Sequence, residues 1–446
     1  MDIRIFIEKK SEYRSEALSL LEELKADFPL EGLRVIDIYD IFDLEEELRD
    51  KVGAIIADPA VDDVYYELDL TGKKYLAYEY LPGQYDQEAN IARQLIRLTR
   101  PETRAVVQKG KVVIFEGDVD PEKAARYFIN PADARRKDLS KLEKRLIQAS
   151  PPVAYVYDFF EKTPAEIKKE YNLALTEADI AMIRDYFRKE NRLPTETELL
   201  FFETYWSDHC RHTTFLTELS IEAEDEDVKA AYEEYQKTRR ELGRADRPVT
   251  LMDITTVNML YEKARGNLDD LEESEEKNAC SIYVDVDVDG RTEKWLLFFK
   301  NETHNHPTEI EPFGGAATCI GGAIRDPLSG RGWVYQAIRL TGSGDVRTPI
   351  DKTLPGKLPQ RLISKQAAAG YSSYGNQIGV AAAHVREVYH PGFVAKLMEL
   401  GAVIAASPLS ALRRKKPEPG DLILLLGGRT GRDGIGGASG SSKAHD

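Results

Sequence analysis

The sequence is poor in cysteine and histidine. Among its 446 residues there are three cysteines, Cys210, Cys280 and Cys319, and none of them is part of a Cys-x-x-Cys pair. So few cysteines cannot hold together a disulfide-rich secreted scaffold of this size, which predicts a reducing, cytosolic environment. No stretch approaches the ~20 apolar residues of a membrane span, and no signal peptide is recognisable.

Basic residues are in the minority. The chain has 61 Lys plus Arg against 77 Asp plus Glu, a formal net charge of −16. Such a chain repels nucleic acid and anionic membranes, so neither is expected as a partner. An anionic substrate must therefore be held by a local basic patch. At about 150 residues per domain, the length initially indicates three domains.

The first 130 residues alternate short strands with helices. We predict strands at 3–7, 32–38, 64–70, 75–80 and 106–115, and helices at 87–98 and at 11–24, the latter with Ser11 as N-cap. Two helices packed against one small antiparallel sheet form an α+β, ferredoxin-like layer. This segment contains no histidine, cysteine or glycine-rich loop, so a structural or interaction role is expected.

Residues 131–205 are strongly charged and are predicted to form a helical linker. Thr176 precedes a run of apolar residues at helical spacing, and Thr195 with Glu198 has the pattern of a capping box. Another charged helix is predicted at 225–242, where a solvated face is favoured over a binding site.

Beyond residue 253 the pattern indicates strands at 280–288 and 295–299, followed by the densest polar and glycine-rich segment, 300–326. A helix is predicted at 391–400, ended by Gly401, and a strand at 422–426. The glycine-rich run 427–437 after that strand is compatible with an anion-binding loop and equally with a flexible turn.

Residues 300–326 contain what a phosphate and magnesium site needs. Lys300 supplies a positive charge, and Arg325 can grip a phosphate with two hydrogen bonds. Glycines let backbone N–H groups approach phosphate, and carboxylates are hard ligands for Mg²⁺. The candidates are Gly314, Gly315, Gly321 and Gly322, together with Glu302, Glu309, Glu311 and Asp326. The segment matches neither the P-loop nor the dinucleotide fingerprint. The alternative interpretation is a turn-rich structural loop whose charges have no role in binding.

Histidines form the second cluster, in the stretch Trp206-Ser-Asp-His209-Cys-Arg-His212. Histidine titrates near neutral pH, so a histidine near carboxylates can move protons. Core histidines with satisfied hydrogen bonds remain the alternative. Zinc is disfavoured because no structural-site spacing is matched, and no cysteine lies in a Gly-x-Cys-x-Gly elbow. A His-Asn-His nuclease is excluded by the acidic charge and the missing ligand spacing.

Five ordered motifs together closely resemble the phosphoribosylformylglycinamidine synthase family in its large, single-chain type. They are Ser-Asp-His209-Cys-Arg-His212, Lys300-Asn-Glu302-Thr-His304-Asn-His306-Pro, Gly315-Ala-Ala-Thr-Cys-Ile-Gly-Gly-Ala-Ile-Arg325-Asp326, Tyr374-Gly-Asn376 and Gly-Gly-Arg-Thr-Gly-Arg-Asp433-Gly. Pro82-Gly83-Gln84 and Glu273-Ser-Glu-Glu276 are similar to that family too. The resemblance covers essentially the whole chain.

The resemblance implies an ATP-dependent ligase of purine biosynthesis. Formylglycinamide ribonucleotide would be phosphorylated by ATP to an iminophosphate, and ammonia from glutamine would displace phosphate, giving formylglycinamidine ribonucleotide and ADP. By motif position, His209 and His304 would handle protons, and Glu302 and Asp326 would hold Mg²⁺. Substrate would contact Thr303, Asn305, His306 and Arg325. Nucleotide would contact Lys300, His212, Gly315, Ala316, Ala317, Thr318, Gly321 and Gly322.

The resemblance also implies an architecture, that of the aminoimidazole ribonucleotide synthetase superfamily. We expect a ferredoxin-like domain at 1–130, the helical linker at 131–205, a synthetase N-terminal-like domain at 206–412 and the beginning of a synthetase C-terminal-like α/β domain at 413–446. The expected partners are a second synthetase copy, as pseudo-dimer partner, and a glutaminase domain absent from this chain. The isolated chain is accordingly expected neither to hydrolyse glutamine nor to complete the amidation. The alternatives are another ATP-using member of the superfamily and a non-catalytic scaffold.

Overall fold

The computed structural model describes residues 1–82, 84–144, 152–173, 175–205 and 214–427. Within these ranges the chain is a mixed α/β protein containing two sheets, as predicted. The strands are β1 Ile3–Lys9, β2 Leu30–Phe42, β3 Asp62–Tyr65, β4 Lys74–Tyr80, β5 Val106–Gly117, β6 Ala134–Arg136, β7 Cys280–Val288, β8 Arg291–Thr303, β9 Trp333–Ser343, β10 Ala382–Tyr389 and β11 Met398–Pro408. The helices are α1 Ser15–Leu24, α2 Val52–Ile56, α3 Gln87–Thr99, α4 Pro121–Phe128, α5 Pro164–Glu170, α6 Glu177–Glu190, α7 Glu196–Tyr205, α8 Glu226–Glu241, α9 Leu251–Ala264, α10 Asn305–Ile310, α11 Pro312–Ser329 and α12 Gln360–Ile378.

The first sheet is antiparallel, with strand order β3-β1-β2-β5-β4-β6. Helices α1 to α4 pack on one of its faces, two more helices than predicted, because α2 and α4 are too short to show helical periodicity in the sequence. The N-cap prediction for Ser11 is wrong: Ser11 lies in a single 3₁₀ turn, and α1 begins at Ser15. The strand predicted at 64–70 is shorter and lies at Asp62–Tyr65.

The helices of the predicted linker form a small core of their own around Phe159, Ile183 and Phe187. The capping box predicted at Thr195 and Glu198 is confirmed, and a second capping box, which was not predicted, begins at Thr176. The Thr176 hydroxyl accepts a hydrogen bond from the Asp179 N–H at 3.2 Å. The Thr195 hydroxyl likewise accepts from the Glu198 N–H at 3.1 Å, while the Glu198 carboxylate accepts from the Thr195 N–H at 2.8 Å.

The second sheet has the order β10-β9-β11-β8-β7, and α11 and α12 pack on one of its faces. The helix predicted at 391–400 is wrong, because a single 3₁₀ turn at Pro391–Phe393 is followed by β11. Gly401 does not end a helix; a Cβ there would lie 3.3 Å from the Cys319 Sγ, so close packing explains the glycine.

The strand predicted at 422–426 is also wrong. Residues Leu422 to Leu426 pair with no strand in the described part of the chain, and their side chains are between 81% and 96% exposed. Of the glycine-rich run after it, only Gly427 lies within the described residues. No helix among the described residues is long and apolar enough to cross a membrane.

Candidate functional site

Strand β8 carries two candidate site residues on the face that α11 covers. Leu296 and Phe298 are buried against the helices, and because side chains alternate along a strand, Lys300 and Glu302 follow on the same face. The buried apolar half of β8 thus fixes the position of the polar end of the strand. The sequence prediction that the strand stops at Lys300 is corrected, since β8 continues to Thr303.

Helix α11 brings Asp326 to this strand. The Lys300 Nζ lies 2.8 Å from the Asp326 Oδ2, and their side chains are 25% and 32% exposed. The predicted cation and one predicted carboxylate ligand therefore meet, although 26 positions separate Lys300 from Asp326 in the sequence. Such partly exposed groups remain accessible to a ligand from solvent.

The predicted glycine-rich loop is a helix, so the expectation of a phosphate loop at residues 314–322 is wrong. The Gly315 N–H donates to the Glu311 carbonyl at 2.7 Å as part of the turn that begins α11. A Cβ at Gly315 would lie 2.4 Å from the Thr308 nitrogen, and one at Gly321 would lie 2.9 Å from the Tyr374 ring. These glycines permit close helix packing. Their nucleotide contacts remain a prediction.

The two faces of α11 differ in what they can offer a ligand. Ala316 is buried with Gly315 and Gly321, whereas Ala317 and Gly322 are partly exposed. Thr318 and Arg325 are exposed and lie seven positions apart, which places them on the same side of the helix. A Cβ at Gly322 would meet nothing within 4 Å, so this side is open.

The segment Thr303–His306 forms a corner between β8 and α10. Its backbone and side chains are fixed to the start of β11: the His304 N–H donates to the Glu399 carbonyl at 2.9 Å, and the Asn305 Oδ1 accepts from the Glu399 N–H at 2.8 Å. The His306 Nδ1 lies 2.6 Å from the Lys396 Nζ. Burial, and after it the nearby Lys357, lowers the pKa of Lys396.

Glu399 was missed in the sequence, as was its buried partner Arg339. The Arg339 guanidinium donates to both Glu399 carboxylate oxygens, at 2.7 and 2.8 Å, and both side chains are almost fully buried. An acidic residue in the otherwise apolar stretch 398–408 was the available indication, because a buried charge requires a partner.

Two predicted carboxylates do not join Lys300. The Glu309 Oε2 accepts from the Leu397 N–H at 2.9 Å, and its nearest cation is the Lys357 Nζ at 3.7 Å. Burial raises the pKa of Glu309 and also that of Glu311. Their roles as metal ligands are therefore not supported. His209 and His212 lie outside the described residues.

A cavity of about 870 Å³ opens beside Lys300 and is lined by Phe299, Asn301, Cys280 and the acidic loop 271–281. That loop is held by basic residues: Lys416 lies 3.0 Å from Glu275 and Arg331 lies 3.5 Å from Glu276. Arg414 pairs with the buried Glu272. These ion pairs connect the loop, which forms one side of the cavity, to neighbouring parts of the chain.

Carboxylates such as Glu302 and Asp326 suit magnesium better than zinc. Among the described residues, no group of three or more His, Cys, Asp or Glu could enclose a metal ion. Mg²⁺ needs no such group, since it is commonly held by one or two carboxylates plus substrate phosphates. The assignment of Glu302 and Asp326 to Mg²⁺ is compatible with that requirement and remains a prediction.

Comparison with known proteins points in one direction. The family model described as the formylglycinamide ribonucleotide amidotransferase linker domain matches residues 165–212. The phosphoribosylformylglycinamidine synthase subunit PurL of Ignicoccus hospitalis is 28% identical over 276 residues, which cover 61% of this chain and 29% of that protein. The same subunit of Methanothermobacter thermautotrophicus is 32% identical over 219 residues, covering 47% and 29%.

Among solved structures, Thermotoga maritima PurL complexed with ADP is 21% identical, covers 41% of this chain and 28% of that one, and has a TM-score of 0.24. The chain spans about 30% of the length of the curated relatives it matches. The resemblance seen in the motifs is confirmed: over the shared stretch, this chain is related to the PurL-type phosphoribosylformylglycinamidine synthases.

Proposed function

We propose that this chain is the N-terminal synthetase part of a large, single-chain phosphoribosylformylglycinamidine synthase. The reaction is the ATP-dependent conversion of formylglycinamide ribonucleotide and ammonia into formylglycinamidine ribonucleotide, ADP and phosphate. The observation that carries the proposal is the ion pair between Lys300 on β8 and Asp326 on α11. Glu302 follows Lys300 on the same face of β8, and Arg325, next to Asp326 in the sequence, is exposed.

Each of these residues has a task in that reaction. Lys300 binds the triphosphate, and Glu302 with Asp326 holds Mg²⁺, which when bound offsets charge on the transferring phosphoryl group. Arg325, Thr303, Asn305 and His306 bind the ribonucleotide. The nucleotide also contacts His212 and helix α11, for which the predicted residues are Gly315, Ala316, Ala317, Thr318, Gly321 and Gly322. Of the α11 residues, Ala317, Thr318 and Gly322 are at least partly exposed.

His304 and His209 are the proposed proton-handling groups. Conversion of an amide oxygen into an iminophosphate requires a proton to leave the amide nitrogen, and attack by ammonia requires another to be removed; a neutral imidazole serves both. The hydrogen bonds of Glu399 fix the backbone at His304 and so support its placement at the reacting amide.

A second synthetase copy is the proposed pseudo-dimer partner, and it would cover the outer face of the second sheet. Apolar side chains oppose each other on this face, with Phe299 across from Ile404 and Leu340 across from Leu400. Phe299 is 48% exposed and Trp333 is 72% exposed. We also propose a glutaminase domain as ammonia source and a reducing cytosol, where Cys280 and Cys319 stay free thiols. The ferredoxin-like prediction for the first sheet is not kept, because β1 and β2, and β4 and β5, are direct antiparallel neighbours, whereas a split βαβ unit has a strand between the two strands that its helix joins.

The full-length protein tests the proposal. With ATP, Mg²⁺ and formylglycinamide ribonucleotide, ammonium should support ADP release, and His209→Ala and His304→Ala should each lower kcat by about 100-fold. Unchanged rates in both variants would remove their roles. ADP release that ignores formylglycinamide ribonucleotide would indicate another ATP-using member of the superfamily, and absence of any heat on titration with MgATP would indicate a scaffold.

A further inference from the structure

Tyr374 on helix α12 touches the exposed side chain of Arg325. The Arg325 Nε donates to the Tyr374 hydroxyl at 2.6 Å, and the guanidinium carbon lies 5.8 Å from the centre of the tyrosine ring. The contact joins two helices whose positions here are 49 residues apart in the sequence. It therefore depends on how α11 and α12 pack.

The packing of these helices is built around glycine. A Cβ at Gly321 would lie 2.9 Å from the Tyr374 ring, and a Cβ at Gly370 would lie 2.0 Å from the Phe313 carbonyl oxygen. Any larger residue at these positions would push the helices apart or rotate the ring. Because Gly321 has no side chain, the Tyr374 ring can pack against α11 one helical turn before Arg325.

The hydrogen bond determines which donors the guanidinium can offer. Arginine has five N–H donors in a planar fork, and the Nε–H is engaged with the phenol. The two terminal nitrogens then form the remaining fork, whose geometry matches two oxygens of a phosphate or carboxylate. A long exposed side chain loses conformational entropy when it binds a ligand. Because the hydrogen bond to Tyr374 already restricts the Arg325 side chain, less entropy is lost on binding.

We propose that Tyr374 is a positioning residue, which holds Arg325 ready to bind the phosphate of the ribonucleotide end-on. This inference rests on the proposed function, because it takes the phosphate ester as the anion that Arg325 meets. Tyr374 itself does not touch the reacting atoms. Its contribution is expected in substrate binding and not in the chemical step.

The test uses the full-length protein and the variants Tyr374→Phe and Arg325→Ala. Tyr374→Phe keeps the ring and removes only the hydroxyl, so KM for formylglycinamide ribonucleotide should rise about tenfold, while kcat and the KM for ATP stay unchanged. In the Arg325→Ala background, Tyr374→Phe should add nothing to KM, since both changes remove the same interaction.

Tyr371 provides the matched control. It lies one turn earlier on α12, and its hydroxyl donates to the Ile338 carbonyl at 2.6 Å, away from Arg325. Tyr371→Phe should lower the melting temperature and leave the substrate KM unchanged. Tyr374→Phe should do the reverse.

The possible outcomes separate the two proposals. If Arg325→Ala raises the substrate KM but Tyr374→Phe leaves it unchanged, the positioning role is overturned and the proposed function stands. Equal losses in kcat and in both KM values for Tyr374→Phe would also overturn it. If Arg325→Ala itself leaves the KM unchanged, the assignment of Arg325 to the substrate is wrong.

Discussion

The Lys300 ammonium and the Asp326 carboxylate form an ion pair of 2.8 Å between β8 and α11. This pair joins the residue proposed for the triphosphate to a residue proposed for magnesium. Each group is only partly exposed, so each is already oriented by its partner. A bound Mg²⁺ and nucleotide would find both charges placed in advance, which reduces the ordering cost of binding.

Asp326→Asn should weaken magnesium-dependent ATP binding. The amide keeps the size of the side chain but removes its negative charge, so the Mg²⁺ concentration that gives half-maximal ATP binding should rise about tenfold or more. Calorimetric titrations of the full-length protein at graded Mg²⁺ measure this. Asp345→Asn is the control, because Asp345 is exposed and paired only with Arg347. An unchanged Mg²⁺ requirement would exclude Asp326 as a ligand.

Cys280 reports on the cavity beside Lys300. It is exposed, whereas Cys319 is buried and its pKa is raised by that burial, so alkylation should select Cys280 over Cys319. With Cys210→Ser in the background, MgATP at ten times its Kd should slow alkylation of Cys280 about tenfold. Lys300→Gln should abolish the protection at the same concentration. Protection that persists in Lys300→Gln, or none at all, would place the nucleotide elsewhere.

Local patterns explain which elements could be predicted from the sequence. Strict alternation identifies β7, and the capping residues Thr176 and Thr195 mark the starts of α6 and α7, because these properties depend on near neighbours only. The glycines of α11 carry no such local information. Glycine has a low helix propensity, so a glycine-rich sequence predicts a loop. Here the glycines are part of a helix that packs closely against Thr308 and Tyr374, and those contacts cannot be recognised from the glycines alone.

The candidate site, like the fold, could be predicted from the sequence only in part. Lys300, Glu302 and Asp326 were predicted because their residue types suit phosphate and Mg²⁺, and the structure brings Lys300 and Asp326 into contact. Glu399 and Lys396, which fix the Thr303–His306 corner, were not, because they lie about 90 positions away and are brought in by β11. A contact between two strands cannot be read from either strand alone.

Asp27→Ala should loosen the junction between the first sheet's helices and α12. Asp27 is buried; one of its oxygens accepts from the Ile350 N–H at 2.7 Å, and the other pairs with Arg361. Alanine would leave a buried donor and a largely buried guanidinium without this partner, lowering the free energy of unfolding by about 3 kcal/mol.

Urea denaturation measures the effect of Asp27→Ala. Asp118→Ala is the matched control, because Asp118 pairs with Lys74 at 2.5 Å but is 90% exposed, so its loss should leave the free energy of unfolding almost unchanged. Equal effects of the two substitutions would show that the buried pair does not stabilise the junction.

Asp133 should make stability depend on pH. Burial, and after it the nearby Glu311 carboxylate, raises the pKa of Asp133 to about 6, above its ordinary value of 3.8. The folded state therefore holds this proton more tightly than the unfolded chain. The contribution to stability is complete below about pH 4 and is lost as pH rises through about 6.

Above about pH 6 the buried Asp133 carboxylate is ionised, which destabilises the folded state, and asparagine removes this charge. At pH 7.5 Asp133→Asn should therefore be more stable than the parent by about 1 to 2 kcal/mol, and this difference should vanish near pH 4. Denaturation at a series of pH values provides the measurement. Asp138→Asn is the control, because the Ser140 hydroxyl lowers the pKa of this exposed carboxyl. A parent and an Asp133→Asn variant with parallel pH profiles would contradict the assignment.

Trp333→Glu should prevent association with the second synthetase copy. Trp333 lies on the outer face of the second sheet, opposite Ala406, and its side chain is 72% exposed. A carboxylate placed among apolar side chains would have to be desolvated in the interface, at a cost of several kcal/mol. The fold of this chain should not suffer, because the substituted side chain faces solvent here.

Sedimentation of this chain mixed with the second synthetase copy of the same enzyme, expressed separately, measures the association. The parent should form a complex, and Trp333→Glu should weaken it at least about 100-fold. Tyr157→Glu adds the same charge at a side chain that is 78% exposed in the predicted linker, and it should leave the complex intact. If Trp333→Glu associates as tightly as the parent, this sheet face is not where the second copy binds, and the apolar pairs on it need another explanation.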